Sequence, residues 1–191
     1  LAAVALCALL AAMAVNRLAP EGQNADALLH PLMSLQNVTL FYWGQDRLAN
    51  LIPFLLSCIS APTLSMWAHL WIFSFSFFSF LAVLAFAGAP RLHPDVAWTG
   101  RWLIFLMLTA VSLVILLPHA ASVLLVEGHP YMPSFLLMAI ALLTLTRGGV
   151  GLPSTLIALL SLFGAIGVNP SLVLVPLSLV VLWFAGLEAR R

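Results

Sequence analysis

The chain has 191 residues, of which 63% are hydrophobic and only 7% charged, with a formal net charge of +1. A soluble domain carries about 25% charged residues, so a water-facing surface of ordinary composition is excluded and the sequence points to an integral membrane protein. The chain has no lysine, and its arginines form no basic cluster beyond the pair Arg190-Arg191, which argues against nucleic acid as a partner.

In chain order, Leu1–Val15 is an Ala- and Leu-rich apolar run that predicts a helical first span. It is shorter than the roughly 20 residues that cross a bilayer, so the span is expected to continue upstream of Leu1. At the other end, Glu188-Ala189-Arg190-Arg191 reads as the start of a further cytoplasmic loop as much as a natural end. Residues 16–62 form the polar external loop, broken by Pro20, Gly22 and Pro31. Within it, Leu28, Leu29, Leu32 and Leu35 predict a short surface helix over Ala25–Leu35. Asp46–Ser60 is too short to span, contains Pro53, and predicts a second interfacial helix. The tripeptide Asn37-Val38-Thr39 matches a glycosylation sequon that arises often by chance.

The second span is expected over Thr63–Gly88, with Trp67 and Trp71 at its outer end. Its Phe/Ser alternation mimics a strand, but a lone strand cannot satisfy its backbone in lipid. A polar loop, Ala89–Gly100, leads to a third span, Arg101–Leu117, and Pro118–Tyr131 forms a second external loop. Spans over Met132–Thr146, Leu152–Gly167 and Leu172–Leu187 complete the expected fold. It is an all-α polytopic helix bundle of about six spans in one transmembrane domain, residues 1–191. With the N-terminus cytoplasmic, Arg91, Arg101, Arg147, Arg190 and Arg191 fall inside and only Arg17 and Arg47 outside, as the positive-inside rule prefers. Both polar loops then share the external face.

Chemistry is concentrated in Leu40–Phe54, where Tyr42, Trp43, Gln45, Asp46 and Arg47 crowd together. A carboxylate at position 46 suits a general base, a metal ligand, or the N-cap of the helix that follows. Glu127 and His129, two apart and followed by Tyr131, read either as a ligand or proton-transfer pair or as a solvated turn. His69, between Trp67 and Trp71, reads as interfacial, and as functional if it lies deeper. Cys7 and Cys58 read as small buried hydrophobes. No zinc-type spacing and no phosphate-cradling glycine loop is present.

The apolar first span, the loop ending in Tyr42-Trp43-Gly44-Gln45-Asp46-Arg47, and Leu51-Ile52-Pro53-Phe54-Leu55-Leu56 together resemble the N-terminal membrane part of bacterial C-type glycosyltransferases. These are relatives of the dolichyl-phosphate-mannose-protein mannosyltransferases. His129-Pro130-Tyr131 resembles a Gln-Pro-Tyr-like run of that group, and Phe163–Ser171 its glycine-rich span ending in Asn/Ser-Pro-Ser. The resemblance implies a polyprenyl-phosphate sugar donor used at the external face of a bacterial inner membrane. It also implies an acidic residue in the first external loop, often with a divalent metal. Asp46 and Asp26 are the candidates for that catalytic acid. Tyr42, Trp43, Gln45, Arg47, Glu127, His129 and Tyr131 are the candidates for substrate binding. The family pattern places its acid soon after the first span, where this chain has Glu21 and Asp26, and adds further spans and a C-terminal domain. The chain is thus read as part of a longer enzyme or as a shortened relative.

Two other classes compete. A non-catalytic subunit of a larger membrane complex would use the same small-residue and aromatic faces for packing against other membrane subunits. Half of a transporter would place ionisable groups near mid-span, where this chain offers mainly Ser and Thr. Membrane lipid is an expected partner in every case.

Overall fold

A computed structural model of the chain describes residues 1–18, 25–36, 50–115, 131–146 and 151–174. These are helical, with no strand among the described residues. In chain order they form α1 (Ala2–Leu18), α2 (Ala25–Ser34), α3 (Leu51–Leu56), α4 (Pro62–Leu92), α5 (Trp98–Ile115), α6 (Tyr131–Leu145) and α7 (Leu152–Val168), then a 3₁₀ turn, Pro170–Val173.

The 31-residue α4 is the axis on which the rest is built, and it is the one described helix long and apolar enough to cross a membrane. At about 1.5 Å per residue it reaches roughly 46 Å, more than the roughly 30 Å of a hydrocarbon core. Pro62 opens it, with Ala61 extended before it (φ −79°, ψ 117°), the position where a missing N–H costs nothing. The sequence predicts its end at Gly88, yet the helix continues to Leu92 through a π-helical segment, Leu84–Gly88. Pro90 supplies the reason. A proline ring inside an α-helix collides with the carbonyl four residues back, and a wider π turn relieves that collision. The helix stops where His93 becomes extended (φ −138°, ψ 92°) ahead of Pro94.

α1 packs antiparallel to α4 with its smallest residues inward. Cys7, Ala11 and Val15, one turn apart, lie buried against Leu70, Phe77, Phe78, Leu81 and Ala85. Small residues let the backbones approach, and the phenylalanines fill the space so made. α6 runs parallel to α4 in a constant register. Phe80 meets Phe135 at 6.3 Å, and eleven residues further along both helices Arg91 meets Thr146. Arg91 also donates to the Leu143 carbonyl at 2.6 Å, so a guanidinium closes the C-terminus of α6, where the helix dipole favours a cation. α7 returns antiparallel to α6, with Met138 packed on Ala165 and Leu172. A Cβ on Gly164 would stand 3.2 Å from Leu137 Cδ1.

α3 is six residues long, about 9 Å, and does not approach the length of a span. Its N-cap position is held by Asn50, whose carbonyl accepts from the Phe54 amide at 2.8 Å. The helix that Asp46 was expected to cap therefore starts beyond it. Of the two cysteines, Cys7 is buried as expected, whereas Cys58 is exposed after α3.

Candidate functional site

Three elements converge on the N-terminal third of α4. α2 lies against it, α3 against both, and the C-terminal end of α7 closes the group, Val168 packing with Ile52 and Phe73. Leu51 stands in ordinary contact with the Cα side of Gly167.

Into this otherwise apolar junction the sequence delivers polar side chains at helical spacing. Ser65, His69 and Phe73 fall one turn apart on α4, and His30 and Ser34 one turn apart on α2. All are buried, as is Asn50 ahead of α3. The Ser34 hydroxyl lies 2.7 Å from the Pro31 carbonyl and 2.7 Å from the Ser65 hydroxyl. A carbonyl only accepts, and a hydroxyl has one hydrogen, so Ser34 donates to Pro31 and Ser65 donates to Ser34. His30 meets Phe73 edge-on, ring centroids 5.9 Å apart.

His69 is fully buried among protein side chains. Its Nδ1 is 2.8 Å from the Ser65 carbonyl and so carries the hydrogen. Nε2 is buried and has no hydrogen-bond partner among the described residues. A neutral imidazole held in this way presents a fixed lone pair, the arrangement that a proton acceptor or a ligand histidine needs. Among the described residues no three His, Cys, Asp or Glu side chains gather to hold a metal. On a neighbouring face of α4, Trp67, Trp71 and Ile72 line a groove of about 390 Å³ with Ala12, Val15 and Asn16 of α1. Trp71 stacks on Phe75 at 4.8 Å, which stiffens that wall.

The residues singled out from sequence distribute as follows. Tyr42, Trp43, Gln45, Asp46, Arg47, Glu127 and His129 lie outside the described residues. Position 26 falls in the first turn of α2, with the Asp26 side chain outside the description. Tyr131 begins α6, exposed and stacked on Phe135 at 6.5 Å. By the α4–α6 register it stands level with residue 76, about 10 Å along the axis from His69. Sequence reasoning passed over His30, Ser34 and Ser65. The signal that finds them is the repeat of a polar residue every fourth position on one face of α2 and one face of α4.

Comparison with protein families, with curated proteins and with solved structures returned no match to this chain.

Proposed function

We propose that the chain is an integral membrane bundle of about six spans, N-terminus cytoplasmic, in a bacterial inner membrane. On this reading it is a glycosyltransferase-like module that takes sugar from a polyprenyl-phosphate donor at the external face. One observation carries the reading. The described segments that bracket the Tyr42–Arg47 stretch, α2 and α3, pack on each other and on the start of α4, around buried His30, Ser34, Asn50, Ser65 and His69. A loop joined at both ends to such a junction has the fixed base that a catalytic loop requires.

Further support comes from surface and charge. α5 and α7 expose Leu103, Met107, Val114, Leu156, Leu160 and Phe163, an apolar area that suits lipid. The Arg91 clasp brings residue 91 beside residues 143–146, which is consistent with a shared face for Arg91 and the end of α6.

The chemistry is displacement at the anomeric carbon. The acceptor oxygen forms the new C–O bond as its proton passes to a carboxylate, Asp46 or Asp26. The C–O bond to the donor phosphate breaks, and polyprenyl phosphate leaves with the electron pair. Tyr42, Trp43, Gln45, Arg47, Glu127, His129 and Tyr131 would hold the sugar and phosphate. The test replaces each acid by its amide in the complete gene product and measures sugar transfer from a polyprenyl-phosphate donor. Loss of about 10²-fold in Asp46→Asn with normal expression supports the reading. Loss in Asp26→Asn alone moves the site to α2. Full activity in both overturns the catalytic assignment. The same apolar faces of α5 and α7 also fit a second reading, a non-catalytic subunit whose exposed helices meet neighbouring membrane proteins, and co-purification of a fixed partner with no transfer activity would establish it.

A further inference from the structure

At the other end of α4, the first turns of α1, the π segment and the start of α5 line an open groove of about 410 Å³. That lies within the usual range of ligand pockets, about 300–1,000 Å³. One wall is made of small residues, Ala2, Ala3, Ala82 and Ala87, and the other of rings, Phe86, Trp98 and Trp102. The π segment matters here because Phe86 belongs to it. The ring meets Trp98 at 5.2 Å, Trp102 at 4.9 Å and Phe105 at 6.1 Å. The aromatic wall is therefore held by ring contacts among its own members, with Trp98 and Trp102 also 6.4 Å apart, and π turns occur frequently at functional sites.

Arg101, three residues along α5 from Trp98, stands against that lining ring. Its guanidinium carbon is 5.9 Å from the Trp98 ring centroid, and its Nε donates to the Val96 carbonyl at 3.3 Å. No other hydrogen bond or ion pair holds it among the described residues. The planar group is thus oriented through one edge and one face, while its terminal N–H groups have no protein acceptor. Trp98 is largely exposed and marks the level at which indole rings sit among lipid headgroups.

We infer that this is a binding site for an anionic phospholipid, one acyl chain in the groove between α1, α4 and α5 and the phosphate on Arg101. An apolar volume alone would accept any chain. The oriented arginine at its rim selects a negatively charged headgroup, because a guanidinium fork matches phosphate oxygens in geometry and charge. Basic positions beside inter-helix grooves are where anionic lipids are held. The inference rests on the membrane placement proposed above and is independent of sugar transfer, since the site lies at the opposite end of α4 from His69.

The test is native mass spectrometry of the detergent-purified chain after exposure to equal amounts of phosphatidylglycerol and phosphatidylcholine. One phosphatidylglycerol per chain should be retained in preference to phosphatidylcholine. Arg101→Gln should lower that retention about fivefold, the effect of one arginine facing an anionic headgroup. Arg101→Lys should keep most of it. Ala82→Phe, which fills the small-residue wall, should lower retention of the lipid while helix content by circular dichroism is unchanged. Equal retention of both lipids, or retention unaffected by Arg101→Gln, would overturn the inference. So would a dimer that Ala82→Phe dissolves, since the groove would then belong to a second copy of the chain. A chain that stays soluble without detergent would sink the membrane placement itself, a result separable from a lost lipid preference.

Discussion

The two ends of α4 are made of different materials. Toward Pro62 its buried face carries Ser65, His69 and Phe73 against the polar side chains of α2. Toward Leu92 it carries Phe77, Phe78, Leu81 and Ala85 against Cys7 and Ala11 of α1 and Phe105 of α5. The second arrangement is an apolar core in the ordinary sense, with large rings set between small residues. The first spends buried volume on groups that contribute less to stability and specify geometry more. A protein whose site sits at the polar end should therefore respond oppositely to mutation at its two ends, losing stability at one and function at the other.

The largest expected effect belongs to the apolar end. Phe78 is almost wholly buried in the α1–α4–α5 core, and Phe78→Ala should cost about 3 kcal/mol or more, read from unfolding of the detergent-solubilised chain. A loss under 1 kcal/mol would mean that α1 does not pack on α4 as described. Next is the clasp between helices. Arg91→Ala removes both the bond to the Leu143 carbonyl and that to Thr146, and because Arg91 is exposed the cost should be about 1 kcal/mol. Arg91→Lys, a point charge without the fork, should recover part of it through the helix dipole. An identical cost in both variants would show that the bonds matter and the charge does not.

A smaller effect is expected where α2 docks. Ser65→Ala breaks the Ser34–Ser65 bond but leaves Ser34 its donation to Pro31. Side-chain bonds between helices in a membrane average about 0.6 kcal/mol. The global change should be of that size, with the faster hydrogen exchange confined to α2. Exchange rising equally in α1 would erase the distinction between the two ends.

Much of the helix plan was legible because each apolar run is bounded by proline, glycine or a polar cluster. The runs expected at Leu152–Gly167 and Met132–Thr146 appear as helices Leu152–Val168 and Tyr131–Leu145, and Ala25–Leu35 appears as Ala25–Ser34. What the pattern hid has a common cause. Pro90 reads as a breaker in one dimension, and only the π turn before it lets the helix continue. Arg91 reads as a loop charge until α6 ends beside it. His69 reads as interfacial from its tryptophan neighbours, but Trp67 and Trp71 point to the α1 groove while His69 lies on the α2 side. Side chains two positions apart on a helix do not share a face, and a sequence window cannot show which face meets which neighbour.

The smallest stability effect, and the sharpest test of the comparison, is at His69. Its Nε2 is buried with no partner among the described residues, and an unmet acceptor in an apolar setting costs about 1–3 kcal/mol. Phenylalanine keeps the ring and removes that cost. It gives up only the Nδ1 bond to the Ser65 carbonyl, an oxygen placed to accept from the helix backbone as well. His69→Phe should therefore leave the unfolding midpoint unchanged or raise it. If the lone pair serves the chemistry at this end of α4, sugar transfer should fall by about 10²-fold in the same variant. Stability and activity would then move apart, as expected where a structure keeps a costly polar group for function. A loss of stability above 1.5 kcal/mol would instead mean that Nε2 has a partner and that His69 belongs to the structural inventory. Unchanged stability with unchanged transfer would remove His69 from the proposed site and leave Asp46 and Asp26 as its candidates.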